Sequence, residues 1–167
     1  MLNWIQDFLS NRKQQVSVRS GTSDWADVLS GVPQGSVLGP ILFVVYINDL
    51  PDIVSSSAKL FADDTKLYSN VSRTNQDGCD KIQEDLKTLE EWSDTWLLRF
   101  NASKCKCMHM GSDNPLRSYY LNGDEIQPVK EEKDLGVFTT SDCKPSTQCT
   151  KAAAKAMSSL RVIKRTF

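Results

Sequence analysis

The sequence lacks any apolar run long enough to form a transmembrane helix. Its longest run, Val37–Ile47, is interrupted by Gly39 and Pro40, whereas a membrane span needs about 20 consecutive apolar residues. We therefore interpret this run as a buried helix. The chain also does not open with a basic segment followed by an apolar stretch, so nothing there indicates a signal peptide.

Cysteine and histidine are too few and too scattered to predict a disulfide framework or a zinc finger. The five cysteines are an odd number, which favours reduced thiols in an intracellular protein. Cys105, Cys107 and His109 alternate along a predicted strand and would share one face. A metal site there stays open as an alternative, but the spacing does not fit a zinc finger, and packing is the favoured interpretation.

The composition is that of an ordinary globular protein. The 167 residues are 40% hydrophobic and 25% charged, and this length fits one domain or one domain with an appendage. Such a chain is long enough to bury a core of its own.

Charge is distributed unevenly along the chain. The net charge is −1, yet the segment Lys144–Phe167 holds six basic residues and no acidic ones. The rest of the chain is therefore acidic. A basic segment of this kind favours contact with a polyanion, and a solvated amphipathic helix that merely balances the body is the alternative.

Hydrophobic periodicity predicts the secondary structure. Helices are predicted at residues 2–9, 39–50, 75–98 and 146–164. Strands are predicted at residues 15–19, 24–29, 105–110 and 135–138, with tight hairpins around Asp63-Asp64 and Asn122-Gly123. This order predicts an α+β fold in which helices back an antiparallel sheet.

The pair Asp63-Asp64 stands between two short apolar strands, residues 59–62 and 65–69. Adjacent carboxylates repel each other, and a divalent cation such as Mg²⁺ relieves the repulsion while keeping positions for water and phosphates. Two such ions can clamp the attacking and leaving oxygens of a phosphoryl transfer. Aspartate is also a common turn residue, so the pair alone would not be diagnostic.

The pair is preceded, however, by a loop rich in glycine and proline, Ser30–Pro40. This loop and the Asp63-Asp64 hairpin together resemble consecutive motifs of the reverse transcriptase palm. The version they resemble is that of LINE-type, jockey-like non-LTR retrotransposons. The segments that carry the resemblance are Ser30–Pro40, Phe61–Tyr68, Trp4–Gln14, Tyr46–Pro51, Trp92–Lys104, Lys133–Val137 and the final helix ending Ile163–Phe167. They cover nearly the whole chain, in the order of the family.

The resemblance implies roles around the carboxylates. Asp63 would be the metal ligand nearest the chemistry, and Asp64 its peripheral partner. Lys104 would protonate the pyrophosphate leaving group as a general acid, with a solvated loop lysine as the alternative. Four further residues belong to the implied site: Gln34 and Gly35 would line the pocket for the nucleotide and template base, and Phe61 and Ala62 would pack beneath the hairpin.

The resemblance also implies a nucleic-acid surface. The turn Leu135, Gly136 and Val137 would support the primer end. Phosphates of the template–primer duplex would contact Lys151, Lys155, Lys164 and Arg165. Residues 1–140 would form part of the palm of a right-hand polymerase, and residues 141–167 a basic helix at the start of the thumb. The implied cofactor is Mg²⁺. The implied partners are an RNA template, a DNA primer and deoxynucleotide triphosphates, and no membrane is among them. The implied site of action is the nucleus.

In the family, a further catalytic aspartate and the fingers precede the segment matched by Met1–Gln14. We therefore expect that this chain alone does not polymerise DNA, and that an unpaired sheet edge promotes self-association. Two alternatives stay open: a non-catalytic nucleic-acid-binding module, and a decayed element without a role. Another right-hand polymerase, such as a viral RNA-dependent enzyme, shares the Asp-Asp hairpin, but the Ser30–Gly35 run favours the retrotransposon version.

Overall fold

The computed structural model describes residues 2–166, which form two compact units. The first comprises the residues up to Asp49 together with Leu60–Thr65, and the second comprises Leu50–Lys59 together with the residues from Lys66 onward. The predicted domains are residues 1–140 and 141–167. Their outer ends, Met1 and Phe167, lie outside the described residues. The boundary between residues 140 and 141 stays a prediction.

The first unit begins with an amphipathic helix. Its elements in chain order are α1 (Leu2–Leu9), β1 (Lys13–Gln14), β2 (Ser17–Val18), β3 (Gly21–Thr22), β4 (Ala26–Asp27) and α2 (Leu38–Tyr46). The predicted helix at residues 2–9 is confirmed, and Trp4 stacks on Phe8 along it with ring centroids 5.6 Å apart. β1 pairs antiparallel with β4, and β2 with β3.

Helix α2 differs from the prediction in length and in burial. It ends at Tyr46 rather than at residue 50, because Ile47 leaves helical geometry with ψ near 7°. A separate short helix, α3 (Leu50–Ile53), follows and contains Pro51 in a first turn, where a missing N–H is tolerated. The predicted burial is wrong, since Val45 on α2 is 68% exposed and Gly39 is its one buried residue.

The second unit holds the main hydrophobic cluster. After α3 its elements are β5 (Ser57–Phe61), β6 (Asp64–Tyr68), α4 (Asp77–Trp96), a 3₁₀ helix (Ala102–Lys104), β7 (Lys106–Cys107), β8 (Tyr120–Leu121), β9 (Asp124–Glu125), β10 (Gln127–Pro128), β11 (Glu131–Asp134), β12 (Val137–Thr140) and α5 (Ser146–Thr166). The tip of the β5–β6 hairpin belongs to the first unit.

Helix α4 supplies the apolar stripe that the sequence predicts. Leu86, Leu89 and Trp92 are buried on it, whereas Trp96 at its end is partly exposed. The core cluster joins Leu86 and Cys79 of this helix to Tyr119, Leu121 and Ile126 of the following strands. The helix ends at Trp96, and the following Leu97 has a left-handed φ of +55°.

The α+β class is confirmed, but the expected continuous antiparallel sheet is not found within residues 2–166. The described strands form six separate two-stranded pairs, and one of them, β7 with β10, is parallel. The strand predicted at residues 105–110 is reduced to Lys106–Cys107. The strand predicted at residues 135–138 begins at Val137, because Leu135 and Gly136 form a turn.

None of the helices in the described part of the chain combines the length and the apolarity needed to cross a membrane.

Candidate active site

The two adjacent carboxylates lie at the tip of the β5–β6 hairpin. Asp63 is in the two-residue turn Ala62–Asp63, and Asp64 is the first residue of β6. A two-residue connection reverses the chain, so these paired strands run antiparallel. The φ of Ala62 is +52°, as primed hairpin turns require at their first central residue. The predicted hairpin is therefore present, but its turn is Ala62–Asp63 rather than the predicted Asp63–Asp64, and both carboxylates lie in solvent.

Phe61 and Ala62 do not pack beneath the hairpin as expected. Phe61 is the last residue of β5 and is 61% exposed, and Ala62 is exposed in the turn. Side chains alternate between the two faces of a strand, and on β5 the half-buried positions are Ala58 and Leu60. Phe61 therefore faces solvent.

The carboxylate pair fits a divalent cation with an incomplete protein shell. Within residues 2–166, no lysine or arginine forms an ion pair with Asp63 or Asp64. Mg²⁺ accepts one or two carboxylates and keeps water or phosphate in its other positions. The described residues contain no group of three or more potential metal ligands, so a second ion finds no further carboxylate among them.

The loop that carries Gln34 and Gly35 is fixed by its own backbone and by the start of α2. Gln34 and Gly35 form an exposed turn, and Gly35 has φ +82°, a conformation that favours glycine. The Ser36 hydroxyl donates to the Pro33 carbonyl at 2.7 Å and accepts the Gly39 N–H at 2.9 Å. Ser36 thus caps the first turn of α2 and ties the loop to it.

Gly39 allows this close approach of loop and helix. A Cβ at residue 39 would lie 2.9 Å from both the Pro33 carbonyl oxygen and the Ser36 Oγ. The loop therefore requires glycine at this point of α2.

Arg12 binds the other end of the loop through hydrogen bonds that the sequence did not predict. Its guanidinium donates to the Leu9 carbonyl at 2.9 Å, to the Ser30 carbonyl at 3.2 Å, and to the Gly31 carbonyl. No local signal around residue 12 could have indicated these distant partners. The capping role of Ser36 had a weak signal, a serine three residues before the predicted helix at residues 39–50.

The described structure distributes the predicted site residues between its two units. The first unit holds the hairpin tip with Asp63 and Asp64 and also the loop with Gln34 and Gly35. The residues predicted for the leaving group, primer and duplex lie in the second unit. The structure therefore places the predicted metal and nucleotide residues in one compact unit.

Lys104 is the last residue of the 3₁₀ helix and is exposed. Its ammonium takes part in none of the ion pairs among the described residues. Its role as general acid stays a prediction.

The predicted primer-supporting turn lies at the tip of the β11–β12 hairpin. Leu135 and Gly136 have φ values of +45° and +88°, the pattern of a type I′ turn. Asp134, just before the turn, forms an ion pair with Lys66 of β6. At the other strand, the Phe138 N–H donates to Gln148 Oε1 of α5 at 2.9 Å.

The four basic residues predicted to contact phosphates are not equivalent. The Lys151 Nζ lies 2.5 Å from Glu131 Oε1 and 3.5 Å from the centre of the Phe138 ring, so its charge is engaged by the β11–β12 hairpin. Lys155, Lys164 and Arg165 are exposed on α5 and form no ion pair within residues 2–166.

The cysteine and histidine residues pack rather than form a ligand set in the described part of the chain. Cys107 Sγ lies 3.8 Å from His109 Nε2, and no third ligand joins them. Burial raises the pKa of the Cys105 and Cys107 thiols, which disfavours the thiolate that a metal requires.

Comparison with protein-family models gives one match over almost the whole chain. Residues 1–152 match the model described as reverse transcriptase (RNA-dependent DNA polymerase). No solved structure matches the chain.

Comparison with curated proteins gives relatives from fruit flies. The chain is 34% identical over 142 residues to the RNA-directed DNA polymerase from mobile element jockey of Drosophila melanogaster. It is 36% identical over 141 residues to the probable RNA-directed DNA polymerase from transposon X-element of the same species, and 31% identical over 145 residues to the jockey polymerase of Drosophila funebris. Each match covers 80% of this chain and 15 or 16% of the relative.

Proposed function

Since the chain belongs to the reverse transcriptase family, we propose that it carries part of the nucleotidyl-transfer centre of a retrotransposon RNA-directed DNA polymerase. Asp63 and Asp64 would bind Mg²⁺, which neutralises charge on the reacting phosphates when bound. Gln34 and Gly35 would line the pocket for the incoming deoxynucleotide. The supporting observation is the exposed carboxylate pair at a hairpin tip, in the same compact unit as the loop of Gln34 and Gly35.

The proposal extends to the parts of a polymerase active centre that lie in the second unit. In it, Lys104 would protonate the leaving pyrophosphate, and the turn Leu135–Val137 would support the primer end. The exposed basic residues of α5 would contact the template–primer duplex as the start of a thumb. The palm and thumb assignments, the RNA template, the DNA primer and a nuclear site of action belong to this proposal.

A metal-binding experiment tests the centre of the proposal. Mn²⁺, measured by electron paramagnetic resonance and displaced by Mg²⁺, should bind the chain, and Asp63→Asn or Asp64→Asn should abolish binding. Asp7→Asn, which removes an exposed carboxylate of α1, is the matched control and should bind Mn²⁺ normally. Equal Mn²⁺ affinity in the native chain and in Asp63→Asn would contradict the proposed metal site.

We also propose self-association through strand edges. Each strand among residues 2–166 pairs with a single neighbour, so every pair leaves edges that another chain can join. Sedimentation velocity across a concentration series should show growing oligomers, and a concentration-independent monomer would contradict this part.

A second candidate function is nucleic-acid binding without catalysis. The observation that favours it is a set of exposed basic side chains on α5, which includes Lys155, Lys164 and Arg165. This function would survive the loss of Asp63, and a binding experiment described below separates it from a catalytic role.

A further inference from the structure

Asp85 is a buried carboxylate on α4 that holds a distant piece of backbone. It is 3% exposed. Its Oδ1 accepts the Ser55 N–H at 2.7 Å and the Ser55 hydroxyl at 3.0 Å, and its Oδ2 accepts the Ser56 N–H at 2.7 Å.

These hydrogen bonds allow the carboxylate to stay ionised inside the protein. Burial alone would raise the pKa of Asp85, but hydrogen bonds from Ser56 and Ser55 outweigh it, and the pKa is lowered. A buried charge without such partners would be strongly unfavourable. Asp85 is therefore fitted to hold two consecutive backbone amides.

Asp85 binds the residues that immediately precede the hairpin of Asp63 and Asp64. Ser56 directly precedes β5, and among the described strands β5 pairs with β6 alone. An isolated two-stranded hairpin is marginally stable in water, so it needs support from outside. The β6 strand has such support in Leu67, which packs against the core cluster, and in the ion pair between Lys66 and Asp134.

Helix α4, which carries Asp85, is itself packed into the second unit. It is 20 residues long, and Leu86, next to Asp85, belongs to the core cluster. Asp85 thus links the residues just before the first strand of the hairpin to a helix that contributes to the core cluster.

We propose that Asp85 is a positioning residue for the Asp63–Asp64 pair, because its hold on Ser55 and Ser56 fixes the β5 strand that leads to the two carboxylates. The proposal rests on the proposed metal-binding role of that pair. When Asp85 is replaced, the hairpin opens more often, and its two carboxylates bind the same cation less often.

The experiment combines two measurements on the full chain and its variants. Amide hydrogen exchange reports the opening of each hairpin, and Mn²⁺ titration reports the metal affinity. The test variant is Asp85→Asn, and the matched control is Asp94→Asn, which removes an exposed carboxylate from the same helix. Ser55→Ala removes the hydroxyl hydrogen bond alone and serves as a milder test should Asp85→Asn fail to fold.

The proposal expects a local effect. In Asp85→Asn, exchange in β5 and β6 should accelerate about tenfold or more, as loss of hydrogen bonds to a charged group implies. Exchange in the β8–β9 hairpin should not change, the Mn²⁺ dissociation constant should rise severalfold, and Asp94→Asn should match the native chain. Ser55→Ala should shift both measurements in the same direction by less.

Two results would overturn the proposal. One is unchanged Mn²⁺ affinity in Asp85→Asn, or in Ser55→Ala where that variant replaces it. The other is faster exchange throughout the second unit, which would indicate a merely structural role. If the native chain itself fails to bind Mn²⁺, the proposed metal site fails first, and that failure is seen without any substitution at residue 85.

Discussion

At the scale of single residues, Gly78 lies where the second unit leaves no space for a side chain. It is buried in the first turn of α4, and a Cβ there would lie 2.0 Å from the Asn70 carbonyl oxygen. We predict that Gly78→Ala lowers the free energy of unfolding by about 1–3 kcal/mol, the usual cost of overpacking. Urea denaturation followed by circular dichroism measures this.

Gly21→Ala provides the control for that substitution. No atom lies within 4 Å of a Cβ at residue 21, and its φ is not left-handed. An equal loss of stability in both variants would show that the contact with Asn70 is not the cause.

The ionisation of Asp85 predicts a dependence of stability on pH. Because hydrogen bonds place its folded-state pKa below the ordinary value of 3.8, its contribution to stability is complete above that value. The contribution is lost as the pH falls through the folded-state pKa. Between about pH 5 and pH 3, the native chain should lose more free energy of unfolding than Asp85→Asn. Parallel pH profiles of the two proteins would contradict this.

At the scale of elements, two lysines of helix α5 are expected to differ in their contribution to duplex binding. We predict that Lys155→Ala reduces the slope of log affinity against log salt, for a template–primer duplex, by about 0.9, the value for one lost phosphate contact. Lys151→Ala should leave the slope unchanged, because Glu131 and Phe138 already engage that ammonium. Fluorescence anisotropy at several salt concentrations measures both slopes.

The same binding assay addresses catalysis. Asp63→Ala should leave duplex affinity unchanged if α5 supplies the contacts. A large loss of affinity in Asp63→Ala would place the carboxylate hairpin in the duplex interface instead.

Sequence reasoning performed best for elements with local signals. The stripe of α4 and the Asn122-Gly123 turn follow from neighbouring residues, and the structure confirms both. Strand pairing depends on distant partners, so the parallel pair of β7 and β10 could not be foreseen.

The candidate site likewise contains features with local sequence signals and features that depend on distant partners. The hairpin that presents Asp63 and Asp64 could be predicted, because its turn and strands are contiguous in sequence. Asp85 had a weak signal, a carboxylate three residues after Ile82 on the apolar stripe of α4. Its partners Ser55 and Ser56 lie about 30 residues away in the chain, which only the fold reveals.

At the scale of the whole molecule, the chain spans about 15% of the length of the curated relatives it matches. Its described residues contain no group of three potential metal ligands, whereas a two-metal mechanism needs ligands for both ions. We predict that the 167-residue chain does not extend a primer on an RNA template with Mg²⁺ and deoxynucleotides. Extension that Asp63→Asn abolishes would contradict this prediction.

The division of the chain between its two units has a practical consequence. The backbone passes from one unit to the other after Asp49, after Lys59 and again after Thr65. Neither unit is therefore one continuous stretch of polypeptide, and no single cut can release either of them whole. Limited proteolysis or truncation at any of these three points separates residues that belong to one unit, so the described chain has to be expressed, purified and assayed in one piece.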